Sequence, residues 1–376
     1  MERPPAVSQQ KSHYEVLDGL RGVAALMVVA FHTFEAYANG NRFHQIINHG
    51  YLAVDFFFLL SGFVVAYAYD DRWNRMSLAN FGKRRLIRLQ PMVIMGTLIG
   101  GALFYLQGAP IFPLIASAPV WKMLLVMLVG CTMVPLPPSA DIRGWAESYT
   151  LNGPAWSLFY EYIANILYAV VLRRLSNRVL AVLVLLAAVF LVHLAVLGPS
   201  GDVIGGWSLN AKQMHIGFAR MLFPFLAGVL LMRMGKRLRV KQAFVVCSFL
   251  LIVIFSVPRI GGPAHLWMNG LYESFAILIL FPIIVSMGAG EWVDEGVSTR
   301  VCRWLGGISY PLYITHYPLI YLYTAWVTRD RVPAAEGALA GVLLVLTATV
   351  IAWLCLRFYD VPVRRWMSGR YLARSG

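Results

Sequence analysis

The chain contains 376 residues, of which 59% are hydrophobic and only 13% are charged. Soluble globular domains have about 45–50% apolar and about 25% charged residues, so this composition excludes an ordinary water-soluble protein. The formal net charge of +14 could indicate nucleic-acid binding, but the basic residues form short clusters between apolar runs. This pattern is typical of the loops of membrane proteins, so we predict a membrane protein without a nucleic-acid partner.

The chain has four widely separated cysteines in or beside apolar runs: Cys131, Cys247, Cys302 and Cys355. None of them forms a C-x-x-C pair, so the sequence predicts neither a zinc site nor a disulfide framework. We interpret them as small buried apolar side chains and expect no metal.

Ten apolar stretches are long enough to cross the hydrocarbon core of a bilayer, which takes about 20 helical residues. In chain order they are 17–38, 50–69, 86–106, 151–172, 178–197, 213–232, 242–257, 270–288, 308–327 and 337–357. A shorter apolar piece, 119–134, ends in a proline-rich stretch, and we interpret it as a re-entrant or interfacial helix. The predicted fold is therefore all-α, a polytopic membrane bundle of about ten transmembrane helices.

Basic clusters determine the predicted orientation, because cytoplasmic loops are enriched in Lys and Arg. The clusters lie at 72–88, 173–178, 233–241, 300–303 and 364–374, and all fall on one side when the ten spans alternate. This predicts that both termini are cytoplasmic. The expected division is a tail at 1–16, one transmembrane domain at 17–358 and a second tail at 359–376.

The ionisable residues of the first span include Asp18, Arg21 and His32. Such groups are costly in hydrocarbon and therefore candidates for function. Arg21 and His32 are eleven residues apart, so they point within roughly 20° of each other and lie about 16 Å apart along the axis. We expect both to line one cavity, with His32 toward the outer side; a snorkelling arginine and a structurally paired histidine are the alternative.

The second span contributes Asp55 near its outer end and the Ser61-Gly62 pair further in. By residue count Asp55 lies near the depth of His32, where a carboxylate would orient an imidazole and raise its basicity. Ser61-Gly62 is a small-residue pair that favours close helix approach.

Arg84, Arg85 and Arg88 lie before Pro91 at the cytoplasmic start of the third span, at spacings of three and four residues. On a helix they form one face that could bind phosphates, such as those of a coenzyme A donor. Setting the topology or contacting anionic membrane lipid is the alternative role for this cluster.

Two later spans contain further ionisable or polar candidates. Trp156 and Glu161 lie in the fourth span, where Arg220 is a possible partner for the Glu161 carboxylate. Tyr310 and His316 lie in the ninth span, which holds two prolines and is therefore predicted to be kinked, with freed carbonyls lining a cavity.

Five of these segments in this order resemble the acyltransferase-3 family of membrane acyltransferases, which includes bacterial O-antigen, exopolysaccharide and Nod-factor O-acetyltransferases. They are Leu17-Asp18-Gly19-Leu20-Arg21-Gly22 with His32, Val54-Asp55 to Ser61-Gly62-Phe63, Arg84-Arg85-Leu86-Ile87-Arg88-Leu89-Gln90-Pro91, Trp156-Ser157-Leu158-Phe159-Tyr160-Glu161, and Ser309-Tyr310 to His316. The chain departs from the family at Ala53, where glycine is frequent, and at Met92, where an aromatic residue is common. Both departures bear on pocket shape.

The resemblance implies that Arg21 and His32 form the essential pair and that the Arg84–Arg88 cluster binds acyl-CoA. The implied reaction moves an acyl group, expected to be acetyl, from cytoplasmic acyl-CoA to a hydroxyl of a glycan or glycosylated acceptor at the outer side. Asp55 would orient His32 as the general base. The bacterial inner membrane is the implied location. A surface polysaccharide, a lipid-linked intermediate and a macrolide sugar all remain possible acceptors.

A secondary transporter of a small polar or anionic solute is the alternative function, because transporters also use broken helices and buried ionisable residues. It predicts inverted repeats, which the sequence does not show, and no dependence on acyl-CoA.

Overall fold

The computed structural model describes residues 13–38, 41–290 and 296–372, and the regular structure of these residues is helical without β-strands. The α-helices of this part of the chain are α1 Glu15–Glu35, α2 Ala53–Tyr69, α3 Leu78–Leu103, α4 Val120–Gly130, α5 Ala155–Val170, α6 Asn177–Leu197, α7 Ala211–Met234, α8 Ala243–Ser256, α9 Trp267–Phe275, α10 Phe281–Gly288, α11 Val297–Thr315, α12 Tyr317–Asp330, α13 Ala334–Cys355 and α14 Val361–Tyr371. The predicted all-α class is confirmed.

Eight helical segments of the described residues are long and apolar enough to cross a membrane. They are Glu15–Glu35, Gly50–Tyr69, Leu78–Gln107, Ala155–Arg174, Asn177–Leu197, Ala211–Met234, Trp267–Gly288 and Ala334–Tyr371. Helix α8 is a shorter apolar helix at the predicted span 242–257, and α4 is the short helix expected within 119–134. The chain is thus a polytopic membrane bundle, as predicted.

The predicted span 308–327 is divided by a bend at His316, where α11 ends and α12 begins. Pro318 causes the break, because proline has no N–H to donate and its ring excludes the carbonyl four residues earlier. That carbonyl belongs to Ile314, and it accepts a hydrogen bond from the Asn152 side chain at 2.9 Å instead. The expected kink with freed carbonyls is therefore present, and α11 begins eleven residues before the predicted span.

The last helical segment extends past residue 358, where the sequence placed the end of the membrane domain. A π-helical turn at Leu356–Asp360 joins α13 to α14, and helix continues to Tyr371. Most of the expected C-terminal tail is therefore helical in the described residues.

Glycines allow α1 and α2 to pack closely against their neighbours. A Cβ at Gly22 of α1 would lie 2.7 Å or less from the backbone of Leu305 in α11. A Cβ at Gly62 of α2 would overlap the carbonyl oxygen of Phe225 in α7. The close approach predicted from Ser61-Gly62 is thus made by the glycine. These contacts fix how α1 and α2 face the interior.

Basic residues from several clusters form ion pairs at one end of the bundle. Arg303, before the middle of α11, lies 2.6 Å from Glu15 at the start of α1. Arg233, at the end of α7, lies 2.7 Å from Asp70, which follows α2. The opposite end holds the loops between α1 and α2 and between α4 and α5, so the two ends of the molecule differ in charge.

Candidate active site

Two cavities lie inside the bundle, one toward each end. We call the first, of about 90 Å³, the arginine cavity. Its walls include three arginines, a glutamate and several hydroxyl groups among apolar side chains: Arg21, Val54, Phe57, Phe58, Ser61, Val64, Val65, Arg85, Arg88, Leu89, Ser157, Leu158, Glu161, Ser309, Tyr310 and Tyr313. It lies at the end where the basic clusters collect.

The second, which we call the histidine cavity, is larger, at about 530 Å³. Aromatic side chains dominate its walls, together with a few ionisable groups: Val28, Phe31, His32, Glu35, Ala36, Arg42, Tyr51, Val54, Ile111, Trp145, Glu147, Gly153, Pro154, Trp156, Ile204, Trp207, Arg220, Tyr313, Tyr317, Ile320, Tyr321 and Thr324. It therefore differs from the arginine cavity in size and in chemistry.

Helix α1 lines both cavities, because one face of a helix presents residues that are about three turns apart in line. Arg21 reaches the arginine cavity and His32 reaches the histidine cavity. The eleven-residue spacing thus places the two side chains on the walls of separate compartments. The sequence had suggested a single cavity, and the structure instead gives two that share the lining residues Val54 and Tyr313.

The His32 imidazole is held by a carboxylate on its own helix. Its Nδ1 lies 2.7 Å from Oε2 of Glu35, three residues later. Because a carboxylate accepts hydrogen bonds, this contact favours the proton on Nδ1 and leaves Nε2 as an acceptor. The ring also meets Tyr317 edge-on, with centroids 4.7 Å apart. An imidazole fixed in this way can act as a general base.

His316 stacks near His32, with ring centroids 5.7 Å apart and planes inclined by 27°. Its Nδ1 donates to the carbonyl oxygens of Tyr313, at 2.8 Å, and Leu312, at 3.1 Å, which lie beside the break between α11 and α12. Its Nε2 is buried and has no hydrogen-bond partner in the described structure. His316 thus combines a structural contact with the backbone of α11 and a free acceptor next to His32.

Asp55 does not orient His32, contrary to expectation. The Arg220 guanidinium donates to both of its oxygens, at 2.6 and 3.2 Å, and both side chains are buried. Residue counting fixed the depth of Asp55 but could not fix the direction in which α2 turns it. Since α2 packs against α7, the carboxylate faces Arg220. The role assigned to Asp55 therefore passes to Glu35.

Glu161 is paired with Arg85, and this corrects the partnership with Arg220 that the sequence suggested. Nη2 of Arg85 donates to Oε1 of Glu161 at 2.8 Å, and the Ser61 hydroxyl donates to the same oxygen at 3.0 Å. The pair bridges α3 and α5 in the wall of the arginine cavity. Because the charges of Arg85 and Glu161 neutralise each other, Arg85 binds an anion more weakly than its position in the cavity wall alone would predict.

The three arginines of α3 are not equivalent, although the sequence grouped them. Arg85 and Arg88, at i and i+3 on the helix, both line the arginine cavity. Arg84 is exposed and is not among the lining residues. Arg21 also lines this cavity, and its Nη1 donates to Asp18 at 2.9 Å. Arg88 and Arg21 are therefore the main cationic groups there.

Trp156 and Tyr310 take positions in different cavities. Trp156 lines the histidine cavity, where the Arg220 guanidinium lies 5.2 Å from its ring centroid. Tyr310 lines the arginine cavity and donates its hydroxyl hydrogen to the carbonyl of Leu89 at 2.6 Å. Both help to position the helices that carry the charged groups.

Sequence reasoning missed Glu35, Glu147 and Tyr313. The signal for Glu35 is its spacing of three residues from His32, which brings two side chains together on a helix. Glu147 lies in the segment between α4 and α5, and burial raises the pKa of its carboxyl to about 7, although the nearby Arg143 acts in the opposite direction. The Tyr321 hydroxyl donates to it. No local pattern marks Glu147, because its burial depends on distant segments.

Comparisons with known proteins show which family and which relatives the chain is similar to. A family model described as an acyltransferase domain matches residues 14–357. A peptidoglycan O-acetyltransferase of Listeria monocytogenes is 26% identical over 370 residues, which cover 93% of this chain and 55% of that protein. An O-acetyltransferase of Staphylococcus aureus is 23% identical over 367 residues, which cover 93% of this chain and 57% of that protein.

A protein of Rhizobium radiobacter, named as protein 2 in the picA locus, is 34% identical over 161 residues, which cover 41% of this chain and 80% of that protein. This chain spans little more than half of the length of the two O-acetyltransferases. No solved structure gives a significant match.

Proposed function

Because the chain belongs to the acyltransferase-3 family of membrane acyltransferases, we propose that it transfers an acyl group, expected to be acetyl, from acyl-CoA to a hydroxyl of a glycan acceptor across the membrane. One observation carries this proposal. Helix α1 presents Arg21 to the cavity at the basic end of the bundle and His32 to the aromatic cavity at the other end. A donor and an acceptor can therefore approach helix α1 from opposite faces of the membrane.

The donor is proposed to enter the arginine cavity from the cytoplasm. The basic clusters that surround this end are typical of a cytoplasmic face, and both termini would lie on that side. Coenzyme A carries phosphates, for which arginine guanidinium groups are well suited as bidentate partners. Arg88 and Arg21 are the proposed phosphate ligands. Arg85 contributes at the wall, where Glu161 limits its charge.

The reaction is proposed to occur at His32. Nε2 accepts the proton of the acceptor hydroxyl while the hydroxyl oxygen attacks the thioester carbonyl. The new ester forms as the carbon–sulfur bond breaks, and the CoA thiolate takes up the proton from Nε2 as it leaves, which returns His32 to its neutral form. Glu35 holds Nδ1 and stabilises the imidazolium that forms. A two-step course, through an acyl group carried on His32, would use the same side chains.

The acceptor is proposed to be a glycan that binds in the histidine cavity. Trp145, Trp156 and Trp207 offer flat apolar faces, while Glu35 and Glu147 offer hydrogen-bond acceptors for hydroxyl groups. This combination suits a sugar ring, which has both apolar and hydroxyl-bearing surfaces. The name of the Listeria relative, a peptidoglycan O-acetyltransferase, agrees with O-acetylation of such an acceptor, and the name of the Staphylococcus relative agrees with O-acetylation.

Replacement of the imidazole tests the proposal. The purified protein in lipid nanodiscs, with both faces accessible, is given acetyl-CoA labelled on the acetyl group and disaccharide fragments of peptidoglycan. We expect label to enter the sugar with the wild type, and His32→Ala to lower the rate by about 10²–10⁴-fold, the usual contribution of a positioned general base. His193→Ala is the matched control, because His193 is exposed on α6 and lines neither cavity.

Binding of CoA separates a chemical defect from a folding defect. His32→Ala should bind CoA as tightly as the wild type, because His32 lies in the other cavity. Full transfer by His32→Ala would refute the role of the imidazole. Release of CoA thiol without label in the sugar would refute the peptidoglycan disaccharide as acceptor.

A further inference from the structure

We propose that a constriction between the two cavities restricts the donor to short acyl groups, an inference that rests on the proposed function. We call this constriction the neck and define it by Val54, Phe57, Ser157 and Tyr313. It lies where the wall of the arginine cavity gives way to the wall of the histidine cavity. A donor held at Arg21 and Arg88 would have to present its acyl end to His32 through it.

The lining residues of three helices change cavities at one level. On α2, Phe57 and Ser61 line the arginine cavity, and Val54, one turn further out, lines both. On α11, Tyr310 lines the arginine cavity and Tyr313 lines both.

On α5 and just before it, the lining residues also change from one cavity to the other. Glu161 and Ser157 line the arginine cavity, whereas Trp156 and Pro154 line the histidine cavity. Val54, Ser157 and Tyr313 therefore mark a single transition level through the bundle.

The Tyr313 ring is held firmly in this position. Its hydroxyl shares a hydrogen bond of 2.7 Å with Oγ of Ser157, and Ser157 in turn donates to the carbonyl of Pro154 at 3.0 Å. Phe57 packs edge-on against the ring, with centroids 5.4 Å apart. Val54, Ser157 and Tyr313 are each no more than 7% exposed. The side chains of the neck are consequently well packed.

A packed neck discriminates between acyl groups by their size. Each methylene added to a substrate that must fit a packed apolar site changes its selection by about 10–200-fold. The arginine cavity, at about 90 Å³, has little space in which a longer chain could fold back. Acetyl, the shortest of the common acyl groups, meets the least resistance, and propionyl and butyryl meet progressively more.

Substitutions that make the Val54 side chain smaller or larger test this inference. CoA thiol release and label transfer are measured with acetyl-CoA, propionyl-CoA and butyryl-CoA for the purified protein in nanodiscs, and the acetyl/butyryl ratio of kcat/KM is compared. Because butyryl has two more methylenes than acetyl, we expect a ratio of at least about 100 for the wild type, a ratio about 10-fold lower for Val54→Ala, and a higher ratio for Val54→Leu. Phe57→Leu, which trims the side chain that packs on Tyr313, should lower the ratio as well.

Val182→Ala is the matched control, because it makes the same substitution at an exposed position of α6 that lines neither cavity. This variant should keep the wild-type ratio. A wild-type ratio near 1, or an unchanged ratio in both Val54 variants, would overturn the neck as a filter while leaving acyl transfer intact. If the wild type consumed no acyl-CoA of any length, the proposed function itself would fail, and the filter with it.

Discussion

The arginine and histidine cavities are built from the same helices but offer opposite environments. The arginine cavity is small and combines cationic groups with apolar walls, whereas the histidine cavity is about six times larger and has three tryptophans and two glutamates in its wall. An extended anionic molecule suits the first, and a bulky uncharged ring with hydroxyl groups suits the second. Under the proposed function, the two substrates would occupy separate compartments and meet only where the compartments adjoin.

Removing a cation from the arginine cavity should have the largest kinetic effect, and it tests the difference between the two cavities directly. Arg88→Gln should raise the KM for acetyl-CoA by about 10–100-fold with a smaller change in kcat, because a hydrogen bond to a charged group contributes about 1.5–3 kcal/mol. Steady-state kinetics with varied acetyl-CoA measure this effect. Arg84→Gln removes the same charge from an exposed position four residues away and should leave KM within about two-fold.

Equal effects of Arg84→Gln and Arg88→Gln on KM would contradict a donor site in the wall of the arginine cavity. They would show that general positive charge at this end, rather than the cavity wall, attracts the donor. In that case KM should also depend strongly on ionic strength for both variants.

Removing a carboxylate from the histidine cavity should give the opposite kinetic signature. Glu35→Gln should lower kcat by about 10-fold and leave the KM for acetyl-CoA near its wild-type value, because Glu35 orients His32 and does not reach the donor site. Glu336→Gln, an exposed substitution at the start of α13, is the control. A rise in KM for acetyl-CoA with unchanged kcat would show that Glu35 serves the donor instead.

The smallest expected effect concerns the pH dependence of stability through Glu147. Burial raises the pKa of this carboxyl from 4.5 to about 7, so the folded protein binds the proton more tightly than the unfolded chain does. Stability is therefore greatest below about pH 4.5 and falls as the pH rises to 7, by about 3 kcal/mol from this group.

Melting in detergent at a series of pH values measures this contribution. Glu147→Gln should raise the melting temperature by a few degrees at pH 8 and flatten the decline between pH 5 and pH 7. A variant whose melting temperature follows the wild-type pH dependence would show that Glu147 does not titrate in this range.

Much of the bundle could be predicted from the sequence because membrane crossing imposes a simple rule on length and apolarity. The same rule allows depth to be counted, which is why Arg21 and His32 could be placed at different levels of one helix face. Helix rotation and helix neighbours cannot be counted in this way. Asp55 and Arg220 are 165 positions apart, and their contact depends on how α2 packs against α7.

The same limitation explains Arg85 and Glu161, which are 76 positions apart. Each was recognisable as a candidate, but an ion pair between α3 and α5 requires the three-dimensional order of the helices. Glu147 was harder still, since nothing in its own segment distinguishes a buried carboxylate from an exposed one. Local interactions such as His32 with Glu35 were within reach of the sequence, and distant ones were not.

The position of the neck also has an electrical consequence. If water fills both cavities, the voltage across the membrane falls mainly over the short, dry layer around Tyr313, where moving one elementary charge through 100 mV involves about 2.3 kcal/mol. An acetyl group is neutral, so its passage involves no electrical work, while the charged phosphates of the donor remain on the arginine side. Transfer across the bilayer would then proceed at a rate that the resting potential of the cell neither drives nor opposes.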